Sequence, residues 1–135
     1  MSSTKAIIER FLSAFNAGDP DAALACLADG VAHDINQGER QIGREAFRWY
    51  LAKRRRHFRE TVADIAIMSD EGGTRAAAEF TLRGSYLASV EGLPAADGQT
   101  YALPAALFFE IDDGLISRVT SYWNETLQRS ELGGK

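Results

Sequence analysis

Apolar side chains recur at Ile7, Ile8, Phe11, Leu12 and Phe15, with Glu9 and Arg10 on the opposite side. That spacing predicts an amphipathic helix over residues 3–17. Asn16-Ala17-Gly18 ends it. Asp19-Pro20 then supplies a capping acceptor and a residue with preset φ, so a second helix is expected over about 20–28. Val31 to Asn36 reads as a short extended segment, and Gly38 to Gly43 as a turn. Ala46, Phe47, Tyr50 and Leu51 predict a third helix running from after Gly43 to about Arg56.

From residue 60 the apolar period changes to two. Strands are expected at 60–69, 75–88, 99–112 and 115–126, with turns at Glu71-Gly72-Gly73 and Asp112-Asp113-Gly114. Helices first and consecutive long strands afterwards predict an α+β fold, three N-terminal helices packed on a curved antiparallel sheet. The link ASVEGLPAADGQ, at 88–99, is too long for a tight hairpin and reads as a loop or a flap. Pro104 is expected at an edge or a bulge, because it cannot donate to a ladder.

Length and composition narrow this picture. A chain of 135 residues fits one domain, 1–135, with a single core. Apolar residues at 45% and charged residues at 25% exclude a disordered or collagen-like chain. A net charge of −4 argues against dedicated nucleic-acid binding, whose affinity comes mainly from neutralising phosphates. The basic stretch KRRRHFR, at 53–59, reads first as a solvated helix end complementing the dipole, and otherwise as a patch for an anionic ligand or nucleic acid.

Cys26 is the sole cysteine, so no intrachain disulfide is possible; in AALACLA it reads as a small buried helix residue. The N-terminal MSSTKAIIERF alternates polar with apolar, unlike a signal peptide, and no apolar run approaches bilayer length. The expectation is a soluble cytoplasmic protein that binds neither membrane nor nucleic acid. No His and carboxylate set has metal-ligand spacing, and no Gly-rich phosphate loop follows a strand, so neither a metal nor a cofactor is expected.

The densest polar chemistry lies in HDINQG, residues 33–38. Asp34 is the leading candidate: a carboxylate facing an apolar cavity has a raised pKa and can serve as a base near neutral pH. A capping or turn-forming carboxylate is the other reading. His33 is a second candidate proton carrier, but neighbours in an extended strand point apart. Asp34 and Asn36 share one face while His33 and Ile35 share the other, and periodicity alone leaves open which pair points inward.

A set of apolar positions on the helices and on one strand face could line a pocket for a flat apolar or aromatic ligand. They are Phe11, Phe15, Tyr50, Phe80, Leu82, Tyr86, Leu107, Phe109 and Trp123, with Asn36 and Ser121 as polar neighbours. The same positions could equally fill a core.

The N-A-G-D break at Asn16 to Asp19, HDINQG at 33–38, GREAF at 43–47, GLPAADG at 92–98 and DGLI at 113–116 occur in an order that resembles the NTF2-like superfamily. The likeness covers nearly the whole chain and is nearest to its ketosteroid isomerase-related, SnoaL-like polyketide cyclase branch. It implies a cone-shaped, cystatin-like fold with an apolar pocket, and a homodimer through the outer sheet face. Asp34 matches the isomerase's base residue for residue.

Phe11 and Leu107 stand where that enzyme has its two enolate donors, one of them a carboxylic acid kept neutral by its apolar site. Losing one such donor typically costs roughly 2.7–4 kcal/mol, so steroid isomerisation itself is not expected. SnoaL-like cyclases use an aspartate base on an already acidic carbon acid, although their acidic residues near the last strand's end are unmatched at Asn124. An Asn like Asn36 also holds water in limonene epoxide hydrolase, but the inward positions Tyr101 to Phe109 lack that enzyme's charged set. The resemblance thus implies cofactor-free isomerase or cyclase chemistry, or else a non-catalytic binder of an apolar metabolite.

Overall fold

The computed structural model of the chain describes residues 3–133. Its elements run α1 (Ser3–Ala17), α2 (Pro20–Leu24), β1 (Leu27–Asp34), a 3-10 turn (Ile35–Gln37), β2 (Arg40–Ile42), α3 (Arg44–His57), β3 (Phe58–Ser69), β4 (Arg75–Tyr86), β5 (Thr100–Asp112), β6 (Leu115–Trp123) and α4 (Glu125–Glu131). One curved six-stranded sheet in the order β2-β1-β6-β5-β4-β3 carries the helices. The α+β expectation therefore holds, with a fourth helix added at the C-terminal end.

Ile8, Leu27, Val31, Leu103, Phe109 and Ile116 have no exposed surface and tie α1 to the inner sheet face. Each fully buried side chain of this size contributes about 1.5–3 kcal/mol of transfer free energy. Inward positions alternate along β4 as Ala76, Ala78, Phe80 and Leu82, and along β5 as Tyr101, Leu103, Leu107 and Phe109. In β3 a bulge between Ala63 and Ala66, with Asp64 at φ 55°, bends the strand and so curves the sheet.

Several local expectations need correction. α2 stops at Leu24, and Cys26 is buried in a turn, because β1 already begins at Leu27 and pairs with β6. Tertiary pairing here outweighs the helical preference of an Ala-rich segment. The β1–β6 ladder is parallel, so the sheet is mixed rather than antiparallel throughout. The Gly38 to Gly43 stretch contains β2, which pairs with β1.

β6 ends at Trp123, not at 126, because the Asn124 side chain accepts a hydrogen bond from Leu127 N (2.9 Å) and starts α4. That early end also accommodates Pro104. It lies one residue past the last β5–β6 pair, Ala105 with Trp123, where β5 is locally an edge.

The 88–99 link is tied down rather than floppy. Tyr86 OH donates to Pro94 O (2.6 Å) and accepts from Val90 N (2.8 Å), while Arg129 of α4 donates to Gly92 O (2.6 Å).

Candidate functional site

Phe47, Tyr50, Leu51 and Arg54 fall on one stripe of α3 by their helical spacing. That stripe faces His33 from β1, Glu60 and Val62 from β3, Phe80 and Leu82 from β4, Leu107 from β5 and Trp123 from β6. Together with Phe11 and Phe15 of α1 they enclose an almost wholly apolar cavity of about 90 Å³.

His33 is the ionisable group that β1 contributes to this cavity. Its side chain is 3% exposed, stacked on Phe47 at 4.3 Å between ring centroids and edge-on to Tyr50 at 4.6 Å. Burial lowers its pKa to about 4, against a smaller upward pull from the neighbouring Asp34 charge. The imidazole is therefore neutral at pH 7. His33 Nδ1 and Trp123 Nε1 are buried without a protein hydrogen-bond partner. Each such unmet group costs free energy when buried.

Asp34, the leading sequence candidate, points to the other face of the sheet. Arg40 donates from Nε to Oδ1 (2.5 Å) and from Nη2 to Oδ2 (3.0 Å), and Thr120 Oγ1 donates to Oδ2 (2.8 Å). The Arg40 hydrogen bond is the main cause that lowers the Asp34 pKa to about 2. Arg118, which hydrogen-bonds Thr120 and pairs with Glu110 (3.0 Å), extends this polar row across the outer face. The environment thus holds Asp34 as a stable carboxylate, the opposite of the expected raised pKa.

The remaining candidates divide. Phe11, Phe15, Tyr50, Phe80, Leu82, Leu107, Ser121 and Trp123 line the cavity. Three do not: Tyr86 is occupied by the 88–99 link, and Phe109 is packed in the core edge-on to Phe11 at 6.0 Å. Asn36, at φ 48°, instead clips two elements together, accepting from Trp123 N (2.9 Å) and donating to Glu125 Oε1 (2.8 Å). Ser121 Oγ accepts from Asn36 N (2.8 Å).

A buried ion pair at the cavity edge was not foreseen. Arg54 donates from Nε to Glu60 Oε1 (2.5 Å) and from Nη2 to Oε2 (2.8 Å), and Tyr101 OH donates to Oε2 (2.5 Å). Burial works against the Arg54 charge, yet the facing Glu60 carboxylate outweighs it and raises the Arg54 pKa. Burial, then the Glu60 charge, raises the Tyr101 phenol. Burial likewise raises Tyr50, so both phenols stay protonated donors. The guanidinium lies 4.9 Å from the Phe58 ring centroid and 5.3 Å from that of Trp123.

Two sequence signals pointed to this pair. Arg54 sits on the α3 apolar stripe four residues after Tyr50, and Glu60 takes an inward β3 position between Phe58 and Val62. Among the described residues no group of three or more His, Cys, Asp or Glu could hold a metal ion, and no helix is long and apolar enough to cross a membrane.

Residues 8–119 match the SnoaL-like domain family. The fold closely resembles two solved structures of proposed polyketide cyclases. That from Xanthomonas campestris pv. campestris is 44% identical, with TM-score 0.94 and 96% of each chain covered. That from Pseudomonas putida KT2440 is 50% identical, with TM-score 0.92 and 98% of each chain covered. A proposed ketosteroid isomerase from Kribbella flavida is 25% identical, with TM-score 0.62, covering 90% of this chain and 78% of its own. Among curated proteins none matches significantly.

Proposed function

The chain belongs to the SnoaL-like family of the NTF2-like superfamily, and from that premise we propose a cofactor-free enzyme of the cyclase or isomerase kind with His33 as its base. The observation that carries this reading is the division of labour at β1. The neutral His33 imidazole faces the apolar cavity, and the ion-paired Asp34 carboxylate does not.

In the proposed step His33 removes a proton from a carbon beside a carbonyl. The C–H electron pair moves to the carbonyl oxygen, and an enolate faces an imidazolium. Either the proton returns at another carbon, which is isomerisation, or the enolate carbon attacks a second carbonyl and the proton passes to the new alkoxide, which closes a ring. Tyr50, whose ring meets the imidazole edge-on at 4.6 Å, carries the hydroxyl at hand as donor for the enolate oxygen.

An imidazole with a pKa of about 4 is a weak base, so the substrate carbon must be acidic, as between two carbonyls. The penalty on the imidazolium is one of desolvation, and an enolate formed beside it offsets that penalty. The polyketide cyclase names borne by the relatives from Xanthomonas and Pseudomonas agree with such a substrate. The cavity's scarcity of polar groups favours a second reading, a binder that holds an apolar metabolite without turning it over.

The test uses cyclic 1,3-diketones and polyketide-like ring enols in D₂O. An enzyme shifts the His33 imidazole resonances and accelerates deuterium entry at the carbon between the carbonyls. A mere binder gives the shift without the exchange, and neither effect refutes both readings.

The same proposal includes a homodimer through the outer sheet face, supported by exposed Phe108, which meets Tyr122 edge-on there at 5.1 Å. Phe108→Glu is then expected to yield monomer in sedimentation; an unchanged mass would remove this contact from the account.

A further inference from the structure

Behind the cavity lies a second, larger cleft of about 340 Å³, between the C-terminal ends of α1 and α3 and the start of β3. The two spaces share Phe15, Leu51, Arg54 and Glu60, so they adjoin at the buried ion pair. The inner cavity, at about 90 Å³, is smaller than the roughly 150 Å³ site that holds a benzene molecule. A ligand of one ring or more therefore projects beyond the inner space, and at the end lined by Phe15, Leu51, Arg54 and Glu60 the adjoining space is the cleft.

The cleft is cationic. Arg54, Arg55 and Arg59 line it with Asp19 and Glu60. Glu60 is committed to Arg54, and Asp19 caps α2 by accepting from Ala22 N (3.1 Å). Arg55 donates only to the neutral Gly18 O (3.1 Å), and neither Arg55 nor Arg59 has an ion-pair partner among the described residues. Arg54 also keeps its guanidinium beside the Trp123 ring at the cavity wall.

We propose that the ligand is an acidic organic molecule whose apolar ring enters the His33 cavity in part and whose carboxylate docks in the adjoining cleft on Arg55 and Arg59. The claim rests on the proposed small-molecule reading of the cavity, which it deepens by naming the ligand's charge and direction. The basic KRRRHFR stretch thereby supplies a subsite, not merely a helix end. Planar guanidinium groups suit a carboxylate because they present paired donors.

The experiment compares 1-naphthylacetic acid with the near-isosteric, neutral 1-naphthylacetamide by calorimetry, on wild type, Arg55→Gln and Arg59→Gln. Arg75→Gln, on the outer face, is the control. The acid should bind wild type at least tenfold more tightly than the amide. Arg55→Gln or Arg59→Gln should erase most of that difference while leaving the amide and the melting temperature unchanged. Raised salt should weaken the acid alone.

Equal affinity of acid and amide, or indifference to both substitutions, would overturn the carboxylate subsite and leave the apolar cavity reading intact. Binding of neither compound would count against both.

Discussion

His33 and Asp34 are consecutive in β1, yet one imidazole is 3% exposed in an apolar cavity and one carboxylate is paired with Arg40 on the opposite face of the sheet. A single step along a strand reverses the facing direction, so a residue pair that reads as a dyad in the sequence acts in two separate environments.

The pair also titrates in two separate windows. His33 falls from 6.5 to about 4 on folding, so the unfolded chain takes up that proton first. Its contribution to stability is full above pH 6.5 and is lost as the pH drops to about 4. Asp34 falls from 3.8 to about 2, so its contribution is present above 3.8 and lost as the pH drops to about 2. Melting temperatures followed from pH 7.5 to 2.5 should decline through both windows. His33→Gln should flatten only the first, and Asp34→Asn only the second.

Breaking the Arg54–Glu60 pair from one side should be severe. Glu60→Ala leaves a guanidinium in a largely apolar wall and frees Tyr101 OH, for an expected loss of about 3–5 kcal/mol in denaturant titrations. Replacing both partners, Arg54→Met with Glu60→Gln, should cost less than the sum of the single changes. Strict additivity would show that the pair is not coupled.

Gly84 is required by close approach. A Cβ there would lie 2.3 Å from the Tyr101 ring, which Glu60 holds in place. Gly84→Ala should cost about 1–3 kcal/mol of unfolding free energy, the usual range for overpacking. A neutral result would mean that Tyr101 can move away freely.

Asn36 should prove structural. Asn36→Gly keeps the left-handed backbone at φ 48° but loses the links to Trp123 N and Glu125, for an expected loss of about 1–2 kcal/mol. Asn36→Ala adds backbone strain and should lose more. Ligand affinity should follow neither change, since Asn36 does not line the cavity.

The gross fold was legible because helix and strand periods differ, and the run of long strands begins at a change of period near residue 60. Most pocket positions followed from the same alternation, as with Phe80 and Leu82 on β4 and Leu107 on β5. The parallel β1–β6 ladder was not legible, because it joins segments that no local pattern connects. Nor was the end of β6, where the cap at Asn124 competes with continued alternation in the sequence.

The facing of Asp34 went wrong for a specific reason. A resemblance transfers residue identity, whereas the direction of a side chain depends on register and on partners such as Arg40 and Thr120. Strand alternation had left His33 and Ile35 free to be the inward pair, and His33 is the member that the cavity received.

The central claim is that His33 moves the proton. It is tested by the rate of solvent deuterium entry into a bound cyclic 1,3-diketone, measured by NMR at pH 7 for wild type, His33→Gln and Asp34→Asn under saturating ligand. The account predicts a loss of about 100-fold or more in His33→Gln, the scale of general-base catalysis, with Asp34→Asn close to wild type. Equal rates for wild type and His33→Gln, or a loss confined to Asp34→Asn, would contradict it.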